Sequence, residues 1–218
     1  LAVLLVLAAM SYQDRTGPSY PLRGSFPAGG ESLAFELPRT EETSRDARVE
    51  LPAPGDVTGG RLWFKRFGTD DPFTAIPLSR VEDRLSADLP AQPPAGKLEY
   101  WLELDGPAGA AIRIPQDPEV QVVIRFKGEV PRPVLLAHIA GMVLSMLFGV
   151  RAGLAALFRP CGMRWLAWTT LGCITLGGMI LGPVVQRYAF GEFWTGFPFG
   201  YDLTDNKTLI MWVVWLAA

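Results

Sequence analysis

The chain has 218 residues, a formal net charge of −2 and a hydrophobic share of 49%. Its mean hydropathy is positive, which excludes an ordinary soluble protein and predicts that part of the chain lies in a membrane. No block of basic residues is present, so nucleic acid is excluded as a partner. Charged residues are concentrated before residue 130, whereas Pro133 to Val185 contains only three, all of them arginines.

The first predicted element is the apolar run Leu1–Met10, which begins without a methionine. A run of this length is too short to cross about 30 Å of hydrocarbon. We therefore interpret it as the end of a transmembrane helix, in preference to the core of a signal peptide. Residues 11–30 contain three prolines and four glycines, which predicts an extended linker leading out of the membrane.

Residues 31–128 predict a domain of short β-strands separated by clusters of proline, glycine and aspartate. Polar and apolar residues alternate most clearly from Lys97 to Leu104, so one face should meet water and the other a core. We expect an antiparallel β-sandwich of about seven or eight strands outside the membrane. The candidate strands are Glu31–Leu37, Arg45–Leu51, Arg61–Phe67, Phe73–Ser79, Val81–Leu89, Lys97–Leu104, Ala110–Ile114 and Glu119–Phe126.

One stretch of this domain carries a family resemblance. The segment from Leu89 to Tyr100, with Pro-Ala-Gln-Pro-Pro-Ala-Gly inside it, resembles the approach to the penultimate strand of fibronectin-III and immunoglobulin-like domains. In those domains the tyrosine packs at the corner between two sheets. The resemblance implies a sandwich fold and no activity. Cys161 and Cys173 both lie outside the domain, which favours the fibronectin-III type because that type needs no disulfide.

Two long apolar segments follow, at 131–158 and 165–186, and each predicts a membrane-spanning helix. The loop between them, 159–164, carries two arginines, so the positive-inside rule places it in the cytoplasm. The sandwich and the loop 187–207 would then lie on the periplasmic side of a bacterial inner membrane. Residues 208–218 predict the start of a further span, which makes a helical bundle of at least four spans, two of them complete in this chain.

Small residues recur along both complete spans. Such residues let helix backbones approach closely where lipid offers no hydrophobic driving force. We therefore predict one helix-packing seam within the chain, with docking onto a helix of another protein as the alternative. The seam residues are Ala137, Gly141, Ser145 and Gly149 on the first span, and Cys173, Gly177, Gly178 and Gly182 on the second.

Beside this seam, His138, Met142 and Met146 are spaced four residues apart and share one helix face. His138 is the chain's single histidine, and an ionisable side chain inside a span is a functional hypothesis. The three residues could bind copper(I), or His138 could be an axial ligand of haem or of a chlorophyll-type pigment. The structural alternative is a histidine hydrogen-bonded across the bundle, with the methionines filling the core. No cofactor is required.

The loop from Tyr188 to Tyr201 contains seven aromatic residues among fourteen. Tryptophan and tyrosine favour the headgroup level of a bilayer, so the loop can be an interfacial belt. It can also be the docking surface of a partner, or a platform for an aromatic or isoprenoid ligand. The platform residues are Phe193, Trp194, Phe197, Phe199 and Tyr201.

Three polar residues follow the aromatic loop: Asp202, Asp205 and Asn206. Their oxygens could bind calcium, although the spacing lacks the glycine turn and terminal glutamate of a calcium-binding hand. Alternatively, Thr204 or Asp205 caps the next helix, where a carboxylate is favoured near the positive end of the dipole.

Sequence motifs of several enzyme classes are missing. The chain has no phosphate-binding glycine loop with lysine, no GxSxG, no HExxH and no CxxC. We therefore expect a non-enzymatic accessory subunit of a larger bacterial membrane complex, photosynthetic or respiratory, whose partners are other integral membrane subunits and the lipid bilayer. The alternatives are a membrane protein that binds copper, haem or pigment through His138, and an extracytoplasmic sensor or adhesion module.

Overall fold

The structure is a computed structural model that describes residues 1–55, 57–106, 110–158 and 162–218. It divides into two compact units. Gly17–Gly128 forms a β-rich unit, and Leu1–Thr16 together with Glu129–Ala218 forms a helical unit. The predicted cytoplasmic loop at 159–164 lies partly outside the described residues.

The described part of the β-rich unit contains eleven strands. They are β1 (Leu22–Ala28), β2 (Glu31–Leu37), β3 (Thr40–Glu42), β4 (Ala47–Pro52), β5 (Gly59–Arg66), β6 (Thr74–Pro77), β7 (Ser79–Val81), β8 (Arg84–Leu89), β9 (Lys97–Asp105), β10 (Ala111–Ile114) and β11 (Val122–Lys127). The strands form three sheets, ordered β1-β2, β4-β8-β7 and β3-β11-β9-β5-β6, with β10 also paired to β9. The pair β3-β11 is parallel, which corrects the expectation of a wholly antiparallel domain.

Strands of all three sheets contribute to one hydrophobic core. Along β9, buried and partly exposed residues alternate as the sequence predicts, because successive side chains of a strand point to opposite faces. The fully buried residues include Phe26 from the first sheet, Leu85 from the second and Leu102 from the third. This shared core is what makes the three sheets one unit.

The predicted linker at residues 11–30 is wrong. The first helix continues to Thr16, and β1 occupies Leu22–Ala28. Gly29 and Gly30 form the two-residue turn to β2, with φ of 62° and 78°. Two successive residues at positive φ suit the right-handed twist of a hairpin, and glycine adopts this conformation without steric cost. Gly29 and Gly30 therefore form a hairpin turn and are not part of an extended linker.

A second hairpin divides the strand that was predicted at Val81–Leu89. Val81 pairs with Arg84, so Glu82 and Asp83 form a two-residue turn between β7 and β8. Glu82 has a φ of 53°, which is unusual for a residue with a side chain. Asp83 is a residue type that favours turns, but a single aspartate with no glycine, asparagine or proline beside it is a weak signal of the break.

The helical unit contains α1 (Ala2–Thr16), α2 (Arg132–Phe158), α3 (Met163–Ile174), a π-helical segment (Thr175–Leu181), α4 (Gly182–Phe190) and α5 (Leu203–Ala217). From Met163 to Phe190 these elements make one continuous helix of 28 residues, and α2 has 27. Both are long and apolar enough to cross a membrane. Few of their residues are buried, and Leu136 and Ile180 are among the exposed ones. The protein is thus a membrane protein with two candidate transmembrane helices and a β-rich domain.

The loop predicted at 187–207 is shorter in the structure. The long helix continues to Phe190, and α5 already begins at Leu203. The helix ends where Gly191 adopts a left-handed conformation and donates its N–H to the carbonyl of Arg187, as is common at helix C-termini. The connection therefore spans residues 191–202.

Tyr100 on β9 is fully buried, and its hydroxyl donates a hydrogen bond of 2.9 Å to the carbonyl oxygen of Pro38. We expect Tyr100→Phe to lower the free energy of unfolding by about 1 kcal/mol, because the buried carbonyl loses its donor. Burial also raises the pKa of this hydroxyl well above its ordinary value of 10.0, and Arg39 opposes the shift. Stability that depends on a raised pKa is full below the unfolded pKa and is lost as the pH rises.

Urea unfolding of segment 17–128 at about pH 8 and about pH 11 measures both effects. The wild-type segment should lose stability above about pH 10, where unfolding allows Tyr100 to ionise. Tyr100→Phe should lose less stability over the same range. An equal alkaline loss in both proteins would contradict this assignment.

Candidate functional site

The densest set of side-chain hydrogen bonds in the described helical unit surrounds Asp205, in the first turn of α5. Its Oδ2 accepts backbone N–H bonds from Thr195 at 2.7 Å and from Gly196 at 3.0 Å. The side-chain amide of Gln186 on α4 donates to the same oxygen at 3.0 Å. Asp205 is buried. Because these donors all bind its Oδ2, this one oxygen atom connects α4, the connecting loop and α5.

Neighbouring polar residues complete the attachment of the loop. Asn206 Oδ1 accepts the backbone N–H of Phe197 at 2.7 Å. Asp202 Oδ1 accepts the N–H groups of Thr204 at 2.8 Å and Asp205 at 3.1 Å. Asp202 is therefore the N-cap of α5, which corrects the prediction that Thr204 or Asp205 has this role.

These contacts argue against the calcium hypothesis for Asp202, Asp205 and Asn206. Each residue directs a side-chain oxygen at backbone N–H groups of the protein itself. A calcium ion needs six to eight oxygen ligands, and these three oxygens are already used as acceptors. Within the described ranges, no group of three or more histidine, cysteine, aspartate or glutamate side chains could hold a metal ion.

The loop is also folded on itself. The N–H groups of Phe199 and Gly200 both donate to the carbonyl of Gly196 at 2.9 Å, and the indole N–H of Trp194 donates to the carbonyl of Phe197 at 3.0 Å. A Cβ on Gly196 would lie 2.6 Å from the Cβ of Asp205. Only glycine permits this close approach, so Gly196 belongs to the same cluster as Asp205.

Four aromatic side chains of this loop point away from the cluster and are exposed: Phe193, Phe197, Phe199 and Tyr201. We call them the aromatic surface. Phe199 is 83% exposed and Tyr201 is 94% exposed. The guanidinium of Arg187 lies 5.6 Å from the centre of the Phe193 ring, within the range of a cation–π contact. Trp194, also predicted as a platform residue, is only partly exposed and serves the loop's internal hydrogen bonding.

The helix-packing seam has its closest approach at Gly141 on α2 and Gly177 in the π-helical segment. A Cβ on Gly141 would lie 2.8 Å from the Cα of Gly177, and a Cβ on Gly177 would lie 2.8 Å from the carbonyl carbon of Gly141. Backbones this close require glycine on both sides. The sequence pattern placed both Gly141 and Gly177 in the seam, but it did not predict that these two glycines meet.

The remaining seam residues have different roles. Ser145 is buried. A Cβ on Gly149 would lie 3.2 Å from the Trp215 ring of α5 and 3.4 Å from the methyl carbon of Thr170, and a Cβ on Gly178 would lie 2.8 Å from a methyl carbon of Thr208. At Gly182 a Cβ would make only ordinary contacts. Ala137 is exposed, which corrects its assignment to the seam within this chain.

His138 lies at the same helix crossing. Its Nδ1 is 2.8 Å from the carbonyl oxygen of Gly177, so Nδ1 carries the proton and donates. Met142 packs against Gly178, where a Cβ would lie 3.4 Å from the Met142 sulfur, whereas Met146 is exposed. This hydrogen bond to Gly177 is the structural explanation for a histidine in α2, namely a histidine that is hydrogen-bonded across the helix bundle. Binding of copper, haem or pigment at His138 stays a prediction.

The β-rich unit carries a ladder of side chains that the sequence analysis missed. Trp63 and Trp101 stack with ring centres 5.5 Å apart, and the Arg113 guanidinium lies 4.1 Å from the Trp101 ring centre. Lys65 forms an ion pair of 3.1 Å with Glu99 on the same two strands. The signal was available, because Trp101 occupies an outward position in the alternation of β9. The faces of the Trp63 and Trp101 rings are covered by each other and by Arg113. We therefore interpret the ladder as a contact that stabilises the sheet.

No protein-family model matches the chain, and no curated protein matches it. Among solved structures, the chain is similar to Astrotactin-2, a conserved vertebrate-specific and perforin-like membrane protein involved in neuronal development. The two share 15% sequence identity with a TM-score of 0.27, over 78% of this chain. The chain spans 36% of the length of that structure. A similarity at this TM-score carries no argument about function.

Proposed function

We propose that the chain is a non-enzymatic accessory subunit of a larger membrane complex, and that its aromatic surface contacts a partner subunit. One observation carries the proposal: four exposed aromatic side chains project from a loop whose backbone is fixed by Asp205 and Asn206. Exposed clusters of large apolar side chains are typical of interaction sites. Aromatic residues are also enriched among those that dominate binding energy.

The rigidity of the loop supports docking. Association is weakened by the entropy lost when loops and side chains become ordered. Here the backbone of Thr195, Gly196 and Phe197 is ordered before any partner binds, because its N–H groups already donate to Asp205 and Asn206. Phenylalanine and tyrosine side chains have only two rotatable angles, so little further freedom is lost. The aromatic surface therefore offers contact area at a small entropic cost.

The proposal extends to topology. We place the chain in a bacterial inner membrane with at least four spans, to which α1, α2, the helix from Met163 to Phe190 and α5 all contribute. Arg151 and Arg164 lie near the end that joins α2 to α3, which supports a cytoplasmic position for that end. The aromatic surface and the β-rich unit would then be periplasmic. The single core shared by three sheets supports a sandwich for the β-rich unit.

The host complex that we propose is an energy-transducing one, photosynthetic or respiratory. The sequence has no motif of the enzyme classes considered above, and α2 contains no acidic residue or lysine that could take part in ion transport. Both observations are consistent with a subunit that packs against other subunits and covers one face of the complex. In this arrangement the helices contact other integral membrane subunits and lipid, while the β-rich unit covers the periplasmic face of the assembly.

The test is the size of the particle that contains the protein after extraction from its native membrane in mild detergent. We expect a particle far larger than the 23.8 kDa chain, with the partner chains identified by mass. The double variant Phe199→Ser with Tyr201→Ser should weaken the association at least tenfold, because contacts of this kind are each worth about 2 kcal/mol or more.

Phe158→Ser is the matched control, because Phe158 is 76% exposed but lies at the opposite end of α2 from the loop. The control should migrate with the intact particle. A wild-type chain that migrates alone would overturn the proposal. So would a double variant that stays in the particle, since the aromatic surface would then face lipid only.

A further inference from the structure

A groove of about 520 Å³ lies between α2, α3 and α5, at the end of the helical unit where α2 joins α3. Small side chains form much of its wall, including Ala152, Ala156 and Ala167. Trp168 and Trp215 also line it. The volume falls within the range of about 300–1,000 Å³ that is typical of small-molecule sites. The space is left open because the methyl side chains of the alanines are too short to fill the gap between the helices.

Arg164 is the charged residue among those that line the groove. It lies in the first turn of α3, is exposed, and makes no ion pair or hydrogen bond to another side chain in the described ranges. No described residue that lines the groove has an acidic side chain that could neutralise Arg164. Among the described residues, the groove therefore combines apolar walls with one cationic side chain, and the complementary ligand has an apolar chain and an anionic group.

The geometry points to a binding site for an anionic phospholipid, with an acyl chain along Ala152, Ala156 and Ala167 and the phosphate on Arg164. A guanidinium presents paired N–H donors that match phosphate oxygens. The headgroup assignment rests on the proposed topology, in which this end of the helices is cytoplasmic: basic pockets between transmembrane helices on the cytoplasmic side bind acidic headgroups. Tryptophan side chains favour the depth at which headgroup and chain meet, which suits Trp168 and Trp215.

The charge balance selects anionic over zwitterionic lipid. An anionic headgroup neutralises Arg164 and adds no second cation. An ethanolamine or choline headgroup brings a positive group into a site whose described lining residues offer it no acidic side chain. Phosphatidylglycerol should therefore bind more tightly than phosphatidylethanolamine with the same acyl chains.

Native mass spectrometry of the whole chain in detergent tests this site, with phosphatidylglycerol and phosphatidylethanolamine added as the two probes. We expect the phosphatidylglycerol adduct to exceed the phosphatidylethanolamine adduct at least fivefold at equal concentration. Arg164→Gln should remove this preference. Arg151→Gln is the matched control: Arg151 is an exposed arginine at the same end of α2, but it does not line the groove, so the preference should remain.

A second variant tests the apolar part of the site. Ala156→Phe places a ring in the groove, so it should reduce the adducts of both lipids while thermal unfolding shows that the protein stays folded. Equal adducts of the two lipids on the wild-type chain would overturn the inference. Equal loss of preference in Arg164→Gln and Arg151→Gln would also overturn it, because the effect would then come from net charge and not from the groove.

Discussion

Asp205→Ala should destabilise the helical unit more than any single change within the loop that its carboxylate holds. Its Oδ2 accepts two backbone N–H bonds and one from Gln186, and the buried donors are left without an acceptor when the carboxylate is removed. A hydrogen bond to a charged group contributes about 1.5–3 kcal/mol, so we expect a total loss of about 3 kcal/mol or more. The melting temperature in mild detergent should fall by roughly 6–12 °C.

Amide hydrogen exchange identifies where this loss occurs. In Asp205→Ala, the amides of Thr195 and Gly196 should exchange much faster than in the wild type, because both donate to Asp205. Asp202→Ala is the matched control, since it removes only a helix cap and should cost about 1 kcal/mol. Unchanged exchange at Thr195 and Gly196 would show that Asp205 does not hold the loop.

Gly141→Leu should produce the second large effect, by forcing α2 and the π-helical segment apart. The Cβ of any residue at this position meets the Gly177 backbone at 2.8 Å, and backbone atoms cannot move aside as a flexible side chain can. Overpacking of this kind costs about 1–3 kcal/mol or more. We expect the full helix crossing to open, with loss of the hydrogen bond between His138 and Gly177.

Gly172→Leu is the control, because Gly172 is an exposed glycine on α3 and a Cβ there would have no neighbour within 4 Å. Replacing a helical glycine is favourable by up to about 1 kcal/mol when space allows. Thermal unfolding in the same detergent compares the two variants. If Gly141→Leu were as stable as Gly172→Leu, the close approach of Gly141 and Gly177 would be wrong.

The two long apolar helices were predictable from sequence because length and hydropathy are local properties. The predicted segment 131–158 matches α2 (Arg132–Phe158) almost to the residue, and a helix of this length and composition is a candidate to cross a bilayer. The alternation along β9 was predictable for the same reason, since each strand residue alternates between core and surface. Errors arose where one residue type serves two purposes. Gly29 and Gly30 indicated a linker by composition, but they form a hairpin turn.

The partners of the site residues could not be predicted, because they depend on which segments meet in space. His138 donates to a carbonyl 39 residues away, and a backbone carbonyl has no sequence signature. The small-residue pattern included both Gly141 and Gly177, but spacing alone does not say which two glycines meet at a crossing. Asp205 was identified as a polar residue of interest, yet its donors are backbone N–H groups that only the folded loop brings together.

The local nature of the Asp205 cluster has a consequence for biosynthesis. All three of its donor residues, Gln186, Thr195 and Gly196, lie within 19 positions of it in the chain. Closing such short loops costs little entropy, and contacts between near neighbours form quickly. The turn can therefore assemble as soon as the ribosome has delivered the first turn of α5. Residues 186–206 thus contain all the residues whose hydrogen bonds to Asp205 and Asn206 fix this turn. We expect the segment to form the same turn when it connects two antiparallel helices of another membrane protein.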